Sequence, residues 1–214
     1  MSSIQSGQAA AGSPRTARVV LRDGRVALVS PLEPHDRARY LAGLEDASPE
    51  SLYKRFMAPV TRLTESQLRY LLEIDHRDHE ALLAVDEDAG GAVGVARFVR
   101  VEGRPDVAES AVIVVDAWQG CGLGKALSAI LAERARELGI ARFEATLLLE
   151  NKAMMSLLRS FGPVRTIGRE GAAAVVEVDL PETGIGEHMA GVLRVAATGG
   201  VEVVTETGEL PASD

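Results

Sequence analysis

The chain has 214 residues, 46% hydrophobic and 25% charged, enough for one globular domain with a full core. A formal net charge of −8 with no basic block argues against nucleic acid as the main partner. The single cysteine, Cys121, excludes an internal disulfide. With no membrane-length apolar run and no basic-then-apolar leader, a cytoplasmic location without a membrane partner is expected.

Residues 1–16 are rich in Ser, Gly, Ala and Gln, lack an apolar period, and read as a disordered segment. From Arg18 to Leu28, two apolar runs flank Asp23-Gly24, a hairpin signal. Pro34 to Leu44 reads as a helix. Ser48-Pro49-Glu50 opens another, with Ser48 as cap and Pro49 in the first turn. Thr64 to Gln67 is a capping box before Leu68, Leu71 and Leu72. Strands are expected over Ala81–Asp86, Ala92–Val101 and Val107–Asp116. After a glycine-rich turn, Leu127, Ile130, Leu131, Ala135 and Leu138 mark one helix face that ends at Gly139. Arg142–Leu149 is a strand with a buried Leu147-Leu148-Leu149 run. Asn151 then caps a helix with Met154, Leu157, Leu158 and Phe161 on its apolar face, ended by Gly162-Pro163. Two strands follow, near 164–168 and 173–180. In the tail, 182–214, a short helix over Glu187–Ala196 is the one expected element, and the rest is weakly patterned. The three tyrosines, Tyr40, Tyr53 and Tyr70, fall on apolar helix faces and are expected in the core.

The most informative stretch is Ala111 to Lys125, a strand leading into Gln119-Gly120-Cys121-Gly122-Leu123-Gly124 and then a helix. Unpartnered amides at a helix start, with glycines that let a ligand approach, suit an anion. The dinucleotide fingerprint fails because Lys125 stands where glycine is needed. The G-x-x-x-x-G-K-[ST] loop fails at Gln119 and Ala126.

The remaining pattern, Gln-x-x-Gly-x-Gly between strand and helix, resembles the pyrophosphate loop of the GCN5-related N-acetyltransferase (GNAT) superfamily. The element order over about 17–181 and the Asn-opened helix resemble it too. The resemblance implies a mixed α/β (α+β) fold whose mostly antiparallel central sheet splays around acyl-coenzyme A. It implies acetyl-CoA as co-substrate and no metal. Its cofactor contacts would be Val112, Ile113, Val114, Gln119, Gly120, Cys121, Gly122, Leu123, Gly124 and Asn151. Asn151 serves equally well as a plain helix cap. Lys125 either adds charge near the phosphates or is a solvated first-turn residue. Cys121 is expected to offer its backbone amide rather than a nucleophilic thiolate.

Acyl transfer to an amine needs the amine neutral. With a pKa of about 10.4, only about 0.1% of a free lysine is neutral near pH 7.4, so a proton acceptor is required. Glu109 lies on the strand that leads into the loop and shares its face with the apolar Ala111, Ile113 and Val115. Such a setting raises a carboxylate's pKa and suits a base. A strand-end glutamate facing solvent is the equal alternative on spacing alone.

Ser51-Leu52-Tyr53-Lys54-Arg55-Phe56, Asp75-His76-Arg77-Asp78-His79-Glu80-Ala81 and Ala108-Glu109 resemble the bacterial Pat-type protein lysine acetyltransferase domain. That resemblance implies Glu109 as general base and a protein lysine as acceptor, an acyl-CoA synthetase among the candidates. Arg55 and Phe56 would shape the acceptor side. A small amine as acceptor, or a non-catalytic acyl-CoA-binding module, are the alternatives. Many Pat-type proteins carry a second regulatory domain, for which this chain is expected to have no room. Many GNAT enzymes place a tyrosine in the Asn-opened helix to protonate the leaving thiolate; the matching position here is Leu158. His76 and His79 with Asp75, Asp78 and Glu80 suggest a metal cluster, but the spacing is poor for zinc and a structural segment is expected.

Overall fold

A computed structural model of the protein describes residues 16–59, 62–181 and 202–205. The expected N-terminal disordered segment, up to residue 15, and the expected helix at Glu187–Ala196 lie outside the described residues. The elements run β1 (Ala17–Val20), β2 (Val26–Pro31), α1 (Arg37–Glu45), α2 (Pro49–Phe56), α3 (Glu65–Leu72), β3 (His79–Asp86), β4 (Ala92–Val101) and β5 (Arg104–Val114). Then come α4 (Leu123–Glu137), β6 (Arg142–Leu148), α5 (Lys152–Arg159), β7 (Val164–Glu170), β8 (Ala173–Asp179) and β9 (Glu202–Thr205). One-turn 3₁₀ segments at Pro34–Asp36 and Asp116–Trp118 precede α1 and follow β5.

Helix starts follow the local chemistry. The Ser48 hydroxyl accepts from the Ser51 N–H at 3.2 Å, with Pro49 in the first turn. Thr64 and Gln67 form the reciprocal capping box. Asn151 Oδ1 accepts from the Met154 N–H at 3.1 Å. The longest helix, α4, is the exception: its N-cap is Gly122, in left-handed geometry (φ 103°), with no side chain over the first amides.

The described strands form one sheet, ordered β7-β8-β6-β5-β4-β3-β2-β1-β9. Among the described residues every neighbouring pair is antiparallel except β5–β6, and that pairing is short: Val107, Ala108 and Glu109 against Arg142, Phe143 and Glu144. The antiparallel, splayed sheet is the architecture expected. Beyond Glu109 the two strands diverge for five further residues of β5. The tail departs from expectation, because 202–205 pair with β1 as a strand. Val-Glu-Val-Val-Thr favours the pleated conformation even though its pattern is too short to announce a strand.

Helices cover both sheet faces. Alternate residues of β3 and β4 divide between two cores, which is why both strands read as nearly unbroken apolar runs. Leu82, Ala84, Ala96 and Phe98 pack on Leu127, Leu131 and Ala135 of α4, and Leu158 of α5 joins the same core. Ala81, Leu83 and Val95 pack on Tyr40, Leu71 and Leu72 on the other side. Two expected core residues are not there: Tyr53 and Tyr70 are exposed, since α2 and α3 are half-covered surface helices. Leu149 is also exposed, at 47%, because β6 ends at Leu148.

The acidic and histidine-rich segment before β3 is structural. Asp75 Oδ1 accepts the backbone N–H groups of Arg77, Asp78 and His79. Glu80, fully buried, accepts from Arg134 Nε at 3.1 Å and the Ala81 N–H at 3.0 Å, and contacts His76 Nδ1 at 2.7 Å.

Candidate active site

A groove of about 280 Å³ opens where β5 and β6 part. Its walls are Ser110 to Val114 of β5, Thr146 and Leu147 of β6, Ser51, Lys54 and Arg55 of α2, and Asn151, Ala153, Met154 and Leu157 around α5. Trp118, Gln119, Gly120 and Gly124 close one end. Ser110 marks the other, its hydroxyl donating to the Glu144 carbonyl at 3.2 Å just past the last β5–β6 pair.

Backbone alternation decides which groups face the groove. The Val115 N–H donates to Val93 on β4 at 2.9 Å. Val112 and Val114 therefore turn their backbone groups the other way, to the open edge left by β6. Ile113 turns its backbone to β4 and contributes only wall. An open strand edge is a template for an extended amide-bearing chain. The Val114 carbonyl is already taken by Gln119 Nε2 at 3.0 Å.

At the loop end, the first internal bond of α4 joins the Ala126 N–H to the Gly122 carbonyl. The amides of Leu123, Gly124 and Lys125 precede it, so an uncapped 15-residue helix presents its positive end to the groove. Gly120 (φ 75°) has open space where a Cβ would stand. At Gly124 a Cβ would meet only Val114 and Leu157, at 3.7 and 3.9 Å, both groove-lining. These features fit a diphosphate at the helix end and a narrow amide-bearing arm along β5. The side chains of Cys121 and Leu123 turn inward and are buried, and neither these residues nor Gly122 lines the groove. The thiol donates to the Trp118 carbonyl at 2.8 Å.

Gln119 does more than line the loop. Its Nε2 also donates to Ser51 Oγ at 3.0 Å, and Asp116 accepts from the Ser48 N–H, the Ser48 hydroxyl and the Ser51 hydroxyl. Partial burial works the other way, yet these donors hold the Asp116 carboxyl below its usual range. The β1–β2 turn braces the loop from behind: the Arg22 N–H donates to the Cys121 carbonyl, and the Arg25 guanidinium lies 4.2 Å over Trp118. Sequence reasoning missed Asp116 and Arg25. The serine partners of Asp116 are 65 or more residues away, and Arg25, paired locally with Asp23, reaches the loop across 92 residues.

Glu109 stands at the fork, in the last β5–β6 pair, but its side chain is exposed and does not line the groove. Its surroundings are not the purely apolar face expected, because its charge reaches Arg55. Leu158, the position matched to the missing tyrosine, is 1% exposed and points into the core; the α5 residues that reach the groove are Ala153, Met154 and Leu157.

Residues 46–162 match the model of the acetyltransferase (GNAT) family, which is more than half of the chain. The chain belongs to that family. Acetyltransferase Pat of Mycolicibacterium smegmatis is 34% identical over 163 residues, 76% of this chain and 48% of that protein. The chain thus spans about half the length of that relative. Acetyltransferase PA5475 of Pseudomonas aeruginosa is 30% identical over 146 residues, 66% of this chain and 77% of that protein. Among solved structures, the GNAT domain of S. lividans PAT superposes with a TM-score of 0.70 at 33% identity, covering 77% of this chain and 97% of that one. In this family member the groove has the glycine-rich loop at one end, and Glu109 stands at the fork.

Proposed function

We propose that this protein is an acetyl-CoA-dependent N-acetyltransferase whose acceptor is a protein lysine, with Glu109 as the general base. The observation that carries this reading is the fork: β5–β6 pairing stops at Glu109, so the carboxylate stands where a thioester lying along β5 would end. The likeness to the Pat proteins supports a protein acceptor.

Acetyl-CoA supplies an acyl carbon activated by a thiolate leaving group. Residues of the chain do the rest. The α4 amides and Gly120 hold the diphosphate. Backbone groups of Val112 and Val114 align the pantetheine arm, and Asn151 closes the groove beside it while capping α5. Glu109, directly or through one water, takes the proton of the incoming ammonium. The amine nitrogen then bonds to the acyl carbon, the carbon–sulfur bond breaks, and the thiolate leaves with the bonding pair. Among the described residues, α5 lines the groove only with Ala153, Met154 and Leu157, none a proton donor. A thiolate with a pKa of about 8.5 is an adequate leaving group without a donor from that helix.

The acceptor is tested by competition. Spermidine, an aminoglycoside and a purified acetyl-CoA synthetase are offered at equal low concentration with labelled acetyl-CoA. Label is expected in the synthetase. Label in the small amines alone would refute the protein acceptor, and tight acetyl-CoA binding with no transfer to any of them would favour the non-catalytic module.

A further inference from the structure

Of the two buried arginines among the described residues, one is held by carboxylates. Arg134, inside α4, pairs with Glu80 at 3.1 Å and Glu137 at 2.9 Å. Two arginines on the Glu109 face of the sheet differ. In the register, Val99 lies opposite both Glu109 and His79, and Arg97 lies opposite Ala111, so Arg97, His79 and Glu109 share one face. The Arg97 side chain is 4% exposed. It donates to the Leu71 carbonyl at 3.0 Å and contacts His79 Nε2 at 3.3 Å. Neither partner is anionic: burial and the Arg97 charge push the His79 pKa down to about 4, leaving it neutral.

Arg55 reaches the same region from α2 and lines the groove. Among the described residues it forms no hydrogen bond and no ion pair. Its guanidinium rests 4.9 Å from the Phe56 ring. Its charge is felt by Arg97 and by Glu109, but Glu109 is too distant to pair with it. A chain of net charge −8 thus keeps Arg97 buried without a carboxylate partner, where holding a charge away from water is costly, and leaves the half-buried Arg55 lining the groove without one.

We propose that Arg55, with Arg97 behind it, binds a substrate carboxylate next to the transferring acyl carbon. This rests on the reading of the Glu109 end as the reacting end of the groove. The planar guanidinium fork matches a carboxylate in two parallel hydrogen bonds. The carboxylate has two possible sources with the same chemistry: an acidic residue flanking the acceptor lysine, or the far end of a dicarboxylic acyl chain on coenzyme A.

The test uses the full chain and reads binding as well as turnover. Calorimetry compares acetyl-CoA with succinyl-CoA in the donor arm. In the acceptor arm, protein saturated with coenzyme A is titrated with two lysine peptides that differ only by Asp or Asn beside the lysine. Wild type should favour the carboxylate ligand in one arm by about ten- to a hundredfold, the range of a charged hydrogen-bonded contact. Arg55→Gln should bring that ratio close to one, while Arg55→Lys should keep part of the preference. Because Arg55→Gln removes an unpaired charge, its thermal midpoint should not fall. Parity in both arms for wild type, or a preference that survives Arg55→Gln, overturns the proposal. If the donor-arm preference depends on Arg55 but no amine is ever acetylated, the transferase reading fails and the carboxylate site stands. Acetylation of a lysine with parity in both arms removes this site alone.

Discussion

The carboxylate of Asp116 accepts both the backbone N–H and the hydroxyl of Ser48, each at 2.8 Å. Asp116 follows β5 at the start of the glycine-rich loop, and Ser48 caps α2, the wall that carries Ser51, Lys54 and Arg55. No residue of α2 is fully buried, so this latch does much of the work of holding the wall. In Asp116→Ala, amide hydrogen exchange across 49–56 should speed up by about fivefold, the effect of losing about 1 kcal/mol of hydrogen bonding. The rest of the sheet should keep its protection. Unchanged exchange in α2 would show that the latch is decorative.

Gly124 separates binding from folding. Its backbone is not in the left-handed region, and an added Cβ meets its neighbours at ordinary contact distance. Gly124→Ala should therefore leave stability unchanged or raise it by up to about 1 kcal/mol. The methyl group nonetheless occupies the surface between loop and groove, so acetyl-CoA affinity should drop by about tenfold or more, near 1.4 kcal/mol. Calorimetric titration alongside thermal unfolding reads both. A stable variant with wild-type affinity would place the coenzyme elsewhere.

On α5, neighbouring positions should respond in opposite ways to the same residue. Leu158 is sealed in the core, so Leu158→Tyr must force in a larger, polar side chain and should cost about 1–3 kcal/mol in urea unfolding. Leu157 lines the groove, so Leu157→Tyr should be better tolerated. Equal losses at the two positions would contradict the orientation assigned to α5.

His79 gives the fold an acid-sensitive element. Its pKa falls from 6.5 to about 4 because it is buried and faces Arg97. The folded state thus binds fewer protons than the unfolded chain between these values. The His79 contribution is present above about pH 6.5 and is lost as pH falls toward 4, at most about 3 kcal/mol. The urea midpoint of wild type should fall more steeply than that of His79→Gln as pH falls from 7 to 4, since glutamine keeps a polar partner for Arg97 without titrating. Parallel curves would refute this.

Periodicity and caps made most elements legible: Ser48, Thr64 and Asn151 each cap the helix expected of them. The loop was legible because glycine spacing is a backbone constraint that no distant residue alters. What escaped were properties set by tertiary partners. Helical position placed Tyr53 and Tyr70 on apolar faces, but only packing decides whether such a face is covered, and both are exposed. Spacing aligned Leu158 with the missing tyrosine, whereas rotation of α5 gives the groove to Leu157. Glu109 was found by its place on β5, yet its neighbour Arg55 arrives from a helix 54 residues earlier in the chain.

The central claim is that the carboxylate at the fork takes the proton of the acceptor amine. Glu109→Gln keeps the size of the side chain and removes the proton acceptor, and the decisive measurement is single-turnover acetyl transfer with acetyl-CoA saturating, as a function of pH. The rate near neutral pH should fall by about a hundred- to ten-thousandfold, with acetyl-CoA affinity little changed, and should partly recover at high pH where the amine deprotonates unaided. A variant that transfers acetyl at the wild-type rate near pH 7 would contradict the account.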